Sequence, residues 1–318
     1  MAFSDNRELF ESAPRDKAHN DADNGAREDI IRDLFSPDEK VRDSYFKHKV
    51  NGEFWKGIRK GFDDALKAFR SPPPSKIPGS YISSLEKAAG RGQRFDYLAK
   101  TLWADDSSGL KLEFKRGQSI FDQPQFLALY AKRGKVTHQD VLSYPEFLLD
   151  NFGGELEKIA KSKLPVQTEY LRHVFGTKYS AMPIFLSLYN ASKSGSRTSL
   201  LDLQYRSIDS YLKFLSTKNN FTDSVAFQNE LNSQLEKFFV SWDTSKQKFN
   251  VEQFTHDDIT LKGKVSLKAG RNGLNVIEFE NLAGNKIEAL LRWKNGPCVL
   301  GPAWQISLKV GSLQSRVK

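Results

Sequence analysis

Leu110–Gly117, LKLEFKRG, places Leu110, Leu112 and Phe114 in alternation with Lys111, Glu113 and Lys115. A period of two is the mark of a half-buried strand, with one apolar face and one charged face. Upstream lie the turn residues Asp105–Gly109 (DDSSG) and the apolar-rich Phe95–Ala104 (FDYLAKTLWA), so two adjacent strands are expected here. A tight hairpin turning at Asp105–Gly109 would set Thr101 opposite Glu113. Only a bulge or a looser turn would bring Asp96 to that position.

Working outward, Ser71–Ser80 (SPPPSKIPGS) breaks the chain, because consecutive prolines cannot continue a helix. Before it, Phe46, Val50, Phe54, Ile58, Phe62, Leu66 and Phe69 recur every three or four residues. That spacing predicts a long amphipathic helix or a helix pair over Val41–Phe69. A helical segment is also expected over Arg27–Phe35, while the polar Ala18–Ala26 reads as a loop and residues 1–26 as weakly committed. Tyr81–Ala89 (YISSLEKAA) reads as a short helix ending at Gly90 or Gly92.

After the LKLEFKRG strand, helices are expected near Pro124–Lys132, Tyr144–Lys161, Gln167–Phe175, Leu200–Phe214 and Val225–Phe239, with Ser192–Ser199 a basic loop. From Phe249 the pattern turns to β. Asp258–Lys268, Asn275–Leu282, Lys286–Lys294 and Ala303–Val310 alternate between Gly- and Asn-containing turns, as in an antiparallel meander. This gives an α+β chain in three parts: a helical region at 1–72, a core at 73–245 and a β-rich region at 246–318.

The 318 residues carry 48 Lys/Arg against 39 Asp/Glu, a net charge of +9. The first forty hold six basic and eleven acidic residues, which leaves the remainder at +14. A basic body attracts nucleic acid, an anionic membrane surface or an acidic partner. One cysteine, Cys298, excludes an internal disulfide and a Cys₄ or Cys₂His₂ zinc site. No apolar run of membrane-spanning length and no secretory leader stands out, so an intracellular location, cytoplasmic or nuclear, is expected. There is no phosphate-binding Gly-x₄-Gly-Lys loop, dinucleotide fingerprint, nucleophile elbow or paired-histidine motif.

Phosphodiester cleavage by a divalent cation needs carboxylates that hold the metal against the phosphate, and a lysine that orients water or offsets charge. On a strand, residues i and i+2 share a face, so Glu113 and Lys115 can serve together. With Asp96 on the preceding strand, Asp96…Glu113-Phe114-Lys115 resembles the PD-(D/E)xK motif of the restriction-endonuclease-like nucleases, although Phe95 stands where that motif has proline.

The resemblance spans about residues 82–132. It implies a central mixed sheet flanked by helices, Mg²⁺ as cofactor and hydrolysis of DNA. Asp96 and Glu113 would be the metal ligands, Lys115 the catalytic lysine and Glu86 an additional acid on a preceding helix. Asp105 or Asp106 are the alternatives to Asp96. Arg116, Lys193, Arg197, Arg292 and Lys294 are the candidate nucleic-acid contacts. Cleavage of palindromes in the restriction style would further imply a homodimer. Two other readings are an RNA endonuclease using the same carboxylates, and a non-catalytic nucleic-acid-binding or virion scaffold protein.

Overall fold

The computed structural model describes residues 3–12, 17–69, 79–88, 95–102, 109–116, 144–170, 187–188, 190–191, 197–217, 228, 231–269, 275–293 and 302–307. The expected helix near Pro124–Lys132 lies outside them, as do Asp105, Asp106 and Cys298. Mixed α and β elements make up the chain, which divides into two compact units. One comprises Met1–Ile120, Ser233–Thr255 and Lys309–Lys318; the other comprises Phe121–Asn232 and His256–Leu308.

The first unit begins with α1 (Glu8–Glu11), α2 (Lys17–Leu34), α3 (Glu39–Phe46) and α4 (Gly52–Phe69). Its strands are β1 (Ile82–Lys87), β2 (Tyr97–Thr101), β3 (Leu110–Arg116), β4 (Lys237–Asp243) and β5 (Lys248–Glu252). They form a five-stranded sheet in the order β1-β2-β3-β4-β5. Every neighbouring pair is antiparallel except β3 and β4, which run parallel. β4 and β5 pair across the boundary expected at 245/246.

One sheet face and the helices share a core. Leu112, Phe114, Phe238, Val240 and Trp242 from the sheet pack with Phe10, Ile30, Trp55, Ile58 and Phe62 from the helices. Aromatic edges organise it: Phe10 meets Trp55 at 5.8 Å and Trp242 at 5.9 Å between ring centroids. The Trp242 indole N–H donates to the Phe10 carbonyl at 2.8 Å, tying α1 to β4. Residues 1–26, expected to be weakly committed, thus supply two core side chains, Leu9 and Phe10. Ala18–Ala26, expected as a loop, is helical within α2. There Arg27 is almost wholly buried, its Nε–H on the Leu9 carbonyl and one guanidinium nitrogen on Asn24 Oδ1.

Val41–Phe69 forms the helix pair of α3 and α4. Val50 leaves the stripe for the turn between them and is 77% exposed. Asp63 on α4 is buried and accepts from the Tyr81 and Ile82 amides at 2.8 and 2.6 Å, and from Ser80 Oγ at 3.1 Å. It thereby fastens the start of β1 to the helix layer.

β1 corrects an expectation, since Tyr81–Ala89 was read as a helix. Ile82 and Leu85 both face the core, three residues apart, because the β1–β2 register shifts between Ile82 and Ser84. An extra residue in a strand changes the side-chain period locally, so a bulge reproduces a helical spacing. β4 corrects a second. Lys237–Phe239 was assigned to a helix, yet all seven residues of KFFVSWD form a strand buried on both faces. Such a run has no period with which to distinguish strand from helix.

Gly109 closes the β2–β3 connection with φ of +79°, and a Cβ there would lie 2.9 Å from Leu98 Cδ1 and 3.1 Å from the Ala99 carbonyl. Gly109→Ala is expected to cost about 1–3 kcal/mol, through the left-handed backbone and this crowding. A urea midpoint unchanged in the variant would refute that account.

In the second unit, α5 (Tyr144–Ala160) packs on α6 (Arg197–Thr217). Tyr144 meets Tyr211 edge-on at 5.2 Å, and its hydroxyl lies 2.6 Å from Ser207 Oγ. Arg206 forks onto Glu155 at 2.6 and 3.1 Å. Residues 197–199, expected in the basic loop, are the first residues of α6. Then come α7 (His256–Ile259) and the meander β6 (Leu261–Ala269), β7 (Asn275–Asn281), β8 (Lys286–Trp293) and β9 (Pro302–Ser307), antiparallel throughout as the turn residues predict. Among the described residues no helix is long and apolar enough to cross a membrane.

Candidate active site

The β2–β3 register decides which acidic residues meet. Tyr97 pairs with Leu112 and Ala99 with Leu110. The pairing is therefore offset by five residues from the tight hairpin. It carries Asp96, not Thr101, to the Glu113 end of the pairing, one residue before the last pair. The Asp96 N–H reaches the carbonyl of Leu112, which is already the partner of Tyr97. Two residues thus answer to one across the ladder, which is the form of a bulge.

The Asp96 carboxylate turns onto β3 as well. Its Oδ2 accepts the Phe114 N–H at 2.8 Å, at the residue between Glu113 and Lys115. That bond fixes the carboxylate's orientation at the Glu-x-Lys segment. The neighbouring Tyr97 hydroxyl donates to the Glu28 carbonyl at 2.8 Å. Burial holds its phenol far above the ordinary range, with Glu28, Asp96 and Asp29 pushing the same way. Tyr97 therefore acts there as a neutral donor.

Glu113 belongs to the sheet face opposite the aromatic core, with side-chain exposure of 13%. Its Oε2 lies 3.9 Å from Nζ of Lys237, a buried lysine on the parallel neighbour β4. Lys115 takes the next position of the same alternation and pairs with Ser241. Sequence reasoning missed Lys237 because its segment was read as helix. Nothing in one sequence signals that a lysine 124 positions beyond Glu113 returns to it; the ion pair itself is the finding.

Glu86, expected on a helix, is on β1, where it forms an ion pair with Lys100 of β2. Both side chains are more than half exposed. A strand carries it because Ile82 and Leu85 are needed in the core, and the intervening bulge leaves Glu86 on the outer face. Of the candidate nucleic-acid contacts, Arg116 ends β3, Arg197 begins α6 and Arg292 lies in β8. Lys193 and Lys294 fall outside the described residues.

Glu252 completes the same face. It pairs with Phe239, and its Oε2 is buried without a hydrogen-bond partner among the described residues. Burial pushes its carboxyl up. A carboxyl whose folded pKa is raised adds stability that is fully present at acid pH and is lost as pH rises through the folded value. Glu252→Gln is therefore expected to raise the melting temperature at pH 7–8 and leave it unchanged near pH 3. A melting temperature lowered at pH 8 would overturn this.

The donors suit a hard cation. Asp96 and Glu113 could both offer carboxylate oxygens, and that of Asp96 is oriented by a backbone amide of β3. Among the described residues no three His, Cys, Asp or Glu side chains converge on one point. The protein would thus supply two carboxylates, with waters filling the remaining positions, as Mg²⁺ accepts readily.

Comparison of the chain with family models, with characterised proteins and with solved structures finds no match.

Proposed function

We propose that the chain is a Mg²⁺-dependent endonuclease that hydrolyses DNA phosphodiester bonds at Asp96, Glu113 and Lys115. The observation that carries this reading is the β2–β3 register, which delivers the Asp96 carboxylate to the Glu113-Phe114-Lys115 segment through the Phe114 amide. Asp96 and Glu113 would hold the metal, whose chemistry would be to polarise the phosphoryl group and acidify a bound water. Lys115 would orient that water or balance charge on the phosphate. Lys237, on the neighbouring strand, is the ion-pair partner of Glu113.

The net charge of +9 favours a polyanionic substrate. DNA is the proposed substrate, RNA the runner-up, and a basic protein that binds without cutting is the reading from outside enzymology.

Supercoiled plasmid and a single-stranded RNA, each incubated with Mg²⁺ or with EDTA, separate the three. Mg²⁺-dependent nicking of the plasmid is expected. RNA cleavage alone would transfer the site to the other substrate. Tight filter binding with no cleavage in Mg²⁺ or Mn²⁺ would overturn the enzyme reading.

A further inference from the structure

On the helical side of the first unit, Lys56, Arg59, Lys60 and Ser80, together with the carboxylates of Asp63 and Asp64, line a hollow of about 460 Å³ between α3, α4 and the approach to β1. That volume is in the range of small-ligand sites. Arg59 is the informative residue. It is half-buried, and its guanidinium lies against two rings, 5.2 Å from the Phe35 centroid and 5.6 Å from that of Phe46. Among the described residues no hydrogen bond or ion pair engages its five N–H donors, which is an unusual state for a side chain that seldom loses water without an acceptor.

The carboxylates nearby are committed elsewhere. Asp63 spends its oxygens on the Tyr81 and Ile82 amides and Ser80, and Asp64 pairs with Lys60 along the helix. Arg42 adds a second cation close by. Its guanidinium bonds the Ser36 carbonyl, a neutral acceptor, and no carboxylate. Burial and then the Arg42 charge hold the Arg59 guanidinium below its ordinary basicity, outweighing the opposite pull of the Asp63 carboxylate. Arg59 thus faces the hollow with a like charge behind it, and Lys56 and Lys60 also line it.

We propose that this hollow binds a phosphate group, with the Arg59 fork as its principal ligand and Arg42, Lys56 and Lys60 as surrounding charge. A planar guanidinium held between aromatic rings is preorganised for bidentate contact with two phosphate oxygens. A dianion would satisfy the idle donors and relieve the repulsion from Arg42 together. The rim lysines are free to contribute, because their partners Glu53 and Asp64 are exposed and such surface pairs exchange readily. The phosphate could come from a free nucleotide or from a nucleic-acid strand, and the chemistry at Arg59 is the same. The proposal stands independently of the nuclease reading, since Asp96 and Glu113 take no part in the hollow.

Titration calorimetry of the full chain with inorganic phosphate and with a 5′-mononucleotide tests it. A second arm measures binding of a short duplex carrying either 5′-phosphate or 5′-hydroxyl ends. Saturable phosphate binding is expected in the wild type, weakened at least tenfold in Arg59→Met, which keeps the apolar stem over Phe35 and Phe46. Arg59→Lys should fall between them, and Lys213→Gln, an exposed change in the other unit, should match the wild type. Loss of duplex affinity in Arg59→Met, with a preference for 5′-phosphate ends, would assign the phosphate to nucleic acid. Loss of mononucleotide binding alone would assign it to a free nucleotide.

Wild-type-like phosphate binding in Arg59→Met would overturn the proposal, as would an absence of saturable binding in the wild type. An equal loss in Lys213→Gln would do so too, by reducing the effect to net charge. Should Arg59→Met fail to fold, Arg42→Met leaves the ring stack intact and is expected to weaken phosphate binding severalfold. Cleavage of plasmid by Arg59→Met, measured alongside, keeps the fate of this site distinct from that of Asp96 and Glu113.

Discussion

Glu113→Gln is expected to reduce Mg²⁺-dependent cleavage by about a thousandfold or more, with duplex binding in EDTA nearly unchanged. The magnitude follows from the several kcal/mol of charge stabilisation that a bound divalent cation supplies, at about 1.36 kcal/mol per factor of ten. Glutamine keeps the shape and one oxygen but not the charge, so the cation loses its anionic anchor. Asp96→Asn should act in the same direction. Its effect should include a modest loss of stability, because Oδ2 also receives the Phe114 amide. Lys237→Met offers a contrast, since it leaves both ligands in place and removes the buried cation 3.9 Å from Glu113. Its cleavage should fall by less than that of Glu113→Gln, since only the partner of one ligand is lost. Full cleavage by Glu113→Gln would remove this site from consideration, whatever other activity the chain retained.

The second large effect concerns Asp63. Asp63→Ala is expected to destabilise the chain by about 3–5 kcal/mol in urea unfolding. Two buried amides, of Tyr81 and Ile82, would lose their acceptor, and each such orphan costs about 1–3 kcal/mol. The loss of Ser80's bond adds to that. Asp63→Asn retains one acceptor oxygen and should cost roughly half as much. Against a total stability of about 5–15 kcal/mol, the alanine variant approaches the limit of folding at 37 °C. A loss under about 1 kcal/mol would mean that water or a rearranged β1 takes over the role.

These expectations show where the sequence was legible. The meander β6–β9 could be read because each turn is punctuated by Gly or Asn and each strand alternates. α4 could be read because Phe54, Ile58, Phe62 and Leu66 keep one face to the core. β1 could not, since its bulge spaces Ile82 and Leu85 as a helix would. Nor could β4, whose two buried faces erase any alternation. The amino-terminal half of α2 is polar enough to pass for a loop, and Leu9–Phe10 is too short a run to announce a core contact.

At the candidate site, Glu113 and Lys115 followed from the alternation in LKLEFKRG, and Asp96 from its resemblance to a motif. The register that turns the Asp96 carboxylate onto the Phe114 amide did not follow. The shape of a loop between two strands is set by what the strands pack against, and Leu112 opposite Tyr97 is the pair that fills the core. Lys237 and Arg59 were invisible for a related reason. The importance of each comes from what surrounds it in space: a carboxylate on a distant strand for one, an absence of acceptors for the other.

The parallel junction of β3 and β4 has a consequence for how the chain reaches this state. The Lys111–Glu236 ion pair beside it joins residues 125 positions apart, and the Trp242–Phe10 bond joins residues 232 apart. During synthesis on a ribosome, β1–β3 and the amino-terminal helices emerge long before the strand that completes their sheet. The unit is left waiting with an open edge at β3 while the whole of residues 121–232 is made. Loops of that length close slowly and raise the contact order, and an unpaired edge is prone to wrong partners in the interval. Truncation before residue 237 should therefore yield an aggregating product, not a smaller soluble one.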